Sequence, residues 1–137
     1  MTERAAEVRG SKDPRVEGWM DLIVHITVMK QGEERFARIQ LTNAEGGDGE
    51  SSQTVSDERV ELDAPTRAAA EYQAMLLAVL RTAETRPDSV EFRLTSKRMV
   101  DELTGVANVE SESLMGWFDR VEAELLKLDT WRVCVKG

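Results

Sequence analysis

The sequence has one cysteine, one histidine, one tyrosine and three prolines, and only 5% of its 137 residues are aromatic. Each scarcity excludes something. Cys134 alone cannot close a disulfide within the chain or assemble a cysteine-built zinc site. So few aromatic rings offer no stacking platform for the bases of a single nucleic-acid strand. No apolar run approaches the roughly 20 residues that span a bilayer. The first 18 residues, MTERAAEVRGSKDPRVEG, mix both signs of charge around no apolar centre. They are not a secretory signal, and a flexible tail with a cytoplasmic location is expected. A glycine-rich phosphate loop, a nucleophile elbow and a Walker motif are all missing.

What is present describes a single globular domain, expected over residues 19–137. Hydrophobic residues make up 41% and charged ones 32%, enough to bury one core. The formal charge of -8 works against a sequence-independent nucleic-acid binder, because such affinity comes from cations displacing counterions from phosphates. A local basic patch can still coexist with an acidic whole.

Two periodicities organise the chain. DLIVHITVMK alternates Leu22, Val24, Ile26 and Val28 against Asp21, Ile23, His25 and Thr27, which is a strand with at least one buried face. QGEE turns the chain, and RFARIQL resumes the alternation to complete a hairpin. Residues 43–53, rich in Gly and Ser, are expected to form a mobile loop ahead of a third strand through Val55, Val60 and Leu62. A helix is expected over 66–84, with Thr66 as N-cap and Tyr72, Met75, Leu76, Val79, Leu80 and Ala83 as its apolar stripe. A strand follows through Val90, Phe92 and Leu94. Ser96 then caps a short helix that buries Met99, Val100 and Leu103 and closes at Gly105. A longer helix through Leu114, Trp117, Phe118, Val121 and Leu125 precedes a last strand, WRVCV. Trp117 and Trp131 are expected as core anchors, Trp19 as exposed, and Cys134 as a small buried hydrophobe. Right-handed crossovers place the fourth strand parallel to the first, in the middle of a mixed sheet.

That order of elements, together with particular residues, resembles the ribonuclease H-like superfamily, and above all its small reverse-transcriptase-like members in bacteria and archaea. Those carry Thr-Asn-Asn-x-Ala-Glu-Tyr at the start of the first helix, matched here by TRAAAEY, Thr66 to Tyr72. They continue with a strand ending in Asp-Ser and a short helix closed by Leu-x-Gly, matched by VEFRLTSKRMVDELTG, Val90 to Gly105. The tail WRVCVKG is similar to the strand that carries the family's His-Val-Pro-Arg element. The resemblance covers about residues 20 to 137. It implies an α/β fold with a five-stranded mixed sheet in the order 3-2-1-4-5, strands 1–3 forming an antiparallel meander, flanked by helices. The family's C-terminal helix has no counterpart before Gly137.

The resemblance also implies a chemistry: hydrolysis of the RNA strand of an RNA–DNA hybrid by two Mg²⁺ ions held about 4 Å apart by converging carboxylates. Glu71 matches the carboxylate of the first helix. The acid at the end of the fourth strand is replaced by Thr95, and the first-strand position falls near His25 or Thr27. The acid of the last helix is missing. Asp21 lies more than about 10 Å along the strand from the matching position, at about 3.3 Å per residue. Asp63 is expected to help start the helix, and Asp101 and Glu102 are expected to face solvent. The family's hybrid-contacting asparagines are here Arg67 and Ala68, leaving Arg67, Ser96, Lys97 and Arg98 as candidate nucleic-acid contacts. His25 reads more simply as a satisfied strand residue than as a ligand.

The expected function is therefore a catalytically inactive ribonuclease H-like domain kept as a binding or assembly module, for a protein partner or its own copy, with no cofactor and no membrane. Two alternatives accompany it. One is a divergent ribonuclease H using Mg²⁺ or Mn²⁺ on RNA–DNA hybrids. The other is a weak nucleic-acid binder that does not cleave.

Overall fold

The computed structural model describes residues 21–43 and 53–136. The tail expected over 1–18, Trp19, and all but the ends of the loop expected over 43–53 lie outside the described residues. Five strands and three helices follow in the order β1 (Asp21–Gln31), β2 (Glu34–Asn43), β3 (Gln53–Leu62), α1 (Arg67–Thr85), β4 (Ser89–Leu94), α2 (Lys97–Leu103), α3 (Glu112–Leu125) and β5 (Trp131–Val135). The sheet order is β3-β2-β1-β4-β5, as the resemblance implies. Strands β1, β2 and β3 pair antiparallel, while β4 lies parallel to both β1 and β5.

Alternation divides the sheet into two chemically different faces. Leu22, Val24 and Ile26 of β1, Ala37, Ile39 and Leu41 of β2, and Val90, Phe92 and Leu94 of β4 point to the helices and are buried. Helix α1 covers the centre of that face and packs against α3, whose Val121 and Leu125 complete the core. The other face carries Ile23, His25 and Thr27 of β1, Arg38 and Gln40 of β2, Glu91 and Arg93 of β4, and Arg132 and Cys134 of β5. Apart from exposed Arg38 and Arg132, these are half-buried.

Three expectations about the core are corrected. Leu80 is exposed, and the buried stripe of α1 is built instead from alanines, Ala69, Ala70, Ala74 and Ala78, around Tyr72, Met75, Leu76 and Val79. Cys134 is not a core hydrophobe. It sits on the polar face, half-buried, with its thiol 3.7 Å from Glu91 Oε2. Trp117 and Trp131 are half-buried and lean on the core from its rim.

The helix ends follow local chemistry. Thr66 Oγ1 accepts from Ala69 N at 3.1 Å, and Ser96 Oγ accepts from Met99 N at 3.2 Å, both as expected. Gly105, at φ 86°, ends the α2 turn in a conformation that a side chain would strain. Arg86 takes the same left-handed region at the end of α1, with φ 52°, and donates its N–H to Ala83 O. A Cβ in that region is unfavourable by about 1–2 kcal/mol. Arg86→Gly is therefore expected to raise unfolding free energy by about 0.5–1 kcal/mol, after glycine's larger entropy in the unfolded chain is set against the relieved strain. The midpoint of urea denaturation, compared at constant slope, checks it.

Candidate functional site

Glu71 lies one turn into α1 and is only 7% exposed, which is unusual for a carboxylate. Its surroundings explain how it tolerates burial. Arg98, reaching across from α2, donates from Nη2 to Glu71 Oε1 at 2.7 Å. Arg67, four residues earlier on α1, approaches Glu71 Oε2 at 3.3 Å. Both carboxylate oxygens are thus taken by guanidinium groups.

Arg98 also donates from Nη1 to Glu102 Oε1 at 2.7 Å, and Tyr72 donates its hydroxyl to the same oxygen at 2.6 Å. Glu102, expected to face solvent, is instead 7% exposed. The cause is helical spacing: α2 is barely two turns long and packs Met99 and Val100 inward, so the residue three after Met99 faces α1 as well. The resulting chain of contacts, Arg67–Glu71–Arg98–Glu102–Tyr72, balances two cations against two carboxylates and ties α1 to α2. The i,i+4 pairs Arg67/Glu71 and Arg98/Glu102 were visible in the sequence as spacings. Their convergence was not, because it depends on how α2 is set against α1.

The network shifts its members in consistent directions. Burial pushes the Tyr72 hydroxyl well above its ordinary value of 10, and the hydrogen bond to Glu102 and that residue's charge push it further, against a smaller opposing effect of Arg98. Burial draws Arg98 down, but Glu102 and Glu71 outweigh it and hold the guanidinium above its usual range.

The other expected contacts are also engaged internally. Ser96 caps α2, and Lys97 pairs with Asp101 at 2.8 Å. Asp63 accepts from Gln73 Nε2 at 2.9 Å, while Gln73 Oε1 accepts the backbone N–H groups of Asp63 and Ala64, which holds the entry to α1. Thr95 is exposed just beyond β4. His25 and Thr27 lie on the polar face of the sheet, away from the face on which α1 packs. Among the described residues no hydrogen bond or ion pair joins either of them to Glu71. Thr27 Oγ1 accepts from Lys136 Nζ at 2.8 Å. Among the described residues no hydrogen bond or ion pair links the positions at which the resemblance places its acids.

Two hard divalent ions need several oxygen donors converging with free lone pairs. Among the described residues no group of three or more His, Cys, Asp or Glu is placed to hold a metal ion. The nearby carboxylates, Glu71 and Glu102, already share one guanidinium. The described residues around Glu71 do not fit a paired-metal centre. Among the described residues no helix is long and apolar enough to cross a membrane.

No protein-family model matches the chain, and no curated protein matches it. Solved structures do. RNase H1 from the halophilic archaeon Halobacterium salinarum NRC-1 superposes with a TM-score of 0.71 at 20% identity, covering 85% of this chain and 86% of that one. The N-terminal RNase H domain of a Mycobacterium tuberculosis protein gives 0.74 at 12% identity, with 86% and 83% covered. LC11-RNase H1, in complex with an RNA/DNA hybrid, gives 0.67 at 18% identity, with 85% of each chain covered.

Tyr72 is the only tyrosine, so its ionisation can be followed without interference. Because its folded pKa is raised, its stabilising contribution is present below about pH 10 and is lost as pH rises through the folded value. The folded chain is expected to show no tyrosinate absorbance at about pH 11, where an unperturbed tyrosine is mostly ionised. Tyr72→Phe should cost about 1–2 kcal/mol at neutral pH by removing one bond to a buried carboxylate, measured by denaturant unfolding.

Proposed function

Given its ribonuclease H-like fold, we propose that this chain is a non-cleaving module, retained for binding or assembly rather than for hydrolysis. The observation that carries the reading is the engagement of Glu71 by Arg98 and Arg67. A carboxylate with only 9% of its side chain accessible and a guanidinium on each oxygen is a structural ion pair. A metal ion would have to displace both cations and then find further oxygen ligands. Removing one partner from a buried ion pair costs about 3–5 kcal/mol, and part of that applies here, with Arg98 40% exposed.

Two features bear on the partner. The candidate nucleic-acid contacts Arg67, Lys97 and Arg98 are each paired with a carboxylate, so they offer little uncompensated charge to a hybrid backbone. Strand β3, at one edge of the sheet, carries Asp57, Glu58, Arg59 and Glu61, a charged run of the kind that discourages edge-to-edge pairing. A protein partner bound away from that edge is the occupant this reading favours, in a cytoplasmic setting.

The divergent-nuclease alternative has one supporting observation, the second buried carboxylate, Glu102, facing the same guanidinium as Glu71. A cleavage assay on a labelled RNA–DNA hybrid, with Mg²⁺ and with Mn²⁺, decides between them. The expected outcome is no turnover above background with either ion, for the native chain and for Glu71→Gln alike. Robust cleavage abolished by Glu71→Gln would refute the proposal.

A further inference from the structure

The polar face of the sheet gathers positive charge on an otherwise acidic chain. Thr27 and Arg38 are direct cross-strand partners on β1 and β2, and His25 and Arg93 are direct partners on β1 and β4. Lys136 follows β5, donates its N–H to Leu94 O, and reaches over to Thr27 with its ammonium. Arg38 also faces Arg59 of β3 directly, and like charges on facing positions of adjacent strands repel, so this arrangement has an electrostatic cost when nothing is bound.

Internal carboxylates compensate the cluster only in part. Arg38 pairs with Asp57 at 2.7 Å. Arg93 and Arg132 share one carboxylate, Glu91. Among the described residues Lys136 contacts no carboxylate, and its hydrogen bond goes to a neutral hydroxyl. Two positive charges are left uncompensated within this group, against a whole-chain charge of -8. On the same face, Asp21 accepts from Ser89 at the opposite end of β1, and Arg59, the direct partner of Arg38 on β3, stacks on Phe36 and donates to Gln31. Among the described residues neither makes a hydrogen bond to Thr27.

We propose that Thr27, Lys136, Arg38 and Arg93, with His25 beside them, form an anion site on the polar face of the sheet, and that its ligand is a phosphate group. The chemistry matches. A phosphate accepts several charge-assisted hydrogen bonds at once. The Lys136 ammonium, which has no carboxylate partner among the described residues, supplies the first, and Arg38 and Arg93, whose Nε edges are held by Asp57 and Glu91, add only their remaining N–H groups. The ligand would take the Lys136 ammonium as its second partner beside Thr27 and draw the free edges of Arg38 and Arg93 inward. In the resemblance to ribonuclease H, the stretch around His25 and Thr27 is where a metal-binding carboxylate belongs. Here the neighbours of that stretch are the cations Arg38, Arg93 and Lys136. This proposal stands apart from the question of cleavage, which concerns Glu71 on the other side of the sheet.

The titrating groups around the site agree with the geometry. His25 is held below its ordinary value, first by burial, then by Lys136 and Arg93, with Glu91 opposing. Lys136 is also held down, by burial, then by Arg38 and Arg93. A bound anion reverses the repulsion, so it raises His25 and binds more tightly as pH falls through the His25 titration.

His25 is the only histidine, so its ring protons report directly on the site. The full chain is titrated with inorganic pyrophosphate at constant ionic strength while those signals are followed by NMR across pH 5 to 8, the range of about the ordinary histidine transition. The expected result is saturable movement of the His25 signals and an upward shift of its pKa. Lys136→Gln should weaken binding about ten-fold, the loss of one charge-assisted contact, whereas Lys136→Arg should keep it within about three-fold. A parallel titration with an RNA–DNA hybrid distinguishes the source. Tighter binding of pyrophosphate assigns a small phosphate ligand, tighter binding of the hybrid assigns a nucleic-acid phosphate, and either supports the site. An unmoved His25, an equal response to sodium chloride, or an unchanged response in a folded Lys136→Gln protein would each overturn it.

Discussion

Arg98 stands between two buried carboxylates, and much of the molecule's arrangement follows from that position. Glu71 and Glu102 come from different helices, and each is nearly inaccessible to water. Two unpaired anions at that depth would be prohibitively unfavourable, since each ion still loses several kcal/mol of solvation after relaxation. One guanidinium hydrogen-bonds to both, and Tyr72 and Arg67 complete the coordination. A guanidinium delivers this through fixed geometry, with two parallel edges and a charge that does not titrate near neutral pH. Helix α2 is only seven residues long and contributes three buried side chains. Its placement against α1 therefore leans heavily on this polar bridge.

The same bridge is the ground on which we propose that this chain does not cleave. A sheet of this order puts the start of α1 and the ends of β1 and β4 at one end of the molecule, where converging carboxylates could hold divalent ions. In this chain the charges at that end are arranged differently. The α1 carboxylate is neutralised by arginines on its own side of the sheet, and β1 presents a histidine and a threonine next to a lysine on the other. An intramolecular cation already in place has a large advantage over a dissolved one, because ordering it was part of folding. The surface around Thr27 and His25 carries cations of its own, Arg38, Arg93 and Lys136. Coordination of a metal there would begin with repulsion from Lys136, Arg38 and Arg93.

The strands, helices and both caps were legible because they rest on local signals: period-two alternation in β1 and β4, Thr66 and Ser96 ahead of helical runs, Gly105 after one. Sheet order came from crossover handedness together with the resemblance to a known fold. Glu71 was legible as a position, not as an environment. Its two arginine partners were among the residues singled out, but for contact with a nucleic acid rather than with Glu71. Glu102 was misplaced because seven residues give too short a helix for its polar side to be told from its buried one. The cation cluster was hidden for a different reason. Arg38, Arg93 and Lys136 are 43 residues or more apart in sequence and meet only through strand register.

The central claim is that Glu71 is closed to metal by its arginine partners. Calorimetric titration of Mn²⁺ into the chain at low ionic strength tests it most directly, beside the same titration into Glu71→Gln. The account predicts no saturable binding tighter than about 1 mM in either protein, a level at which a Kd corresponds to only about 4 kcal/mol. Two-ion binding in the micromolar range, lost in Glu71→Gln, would contradict it.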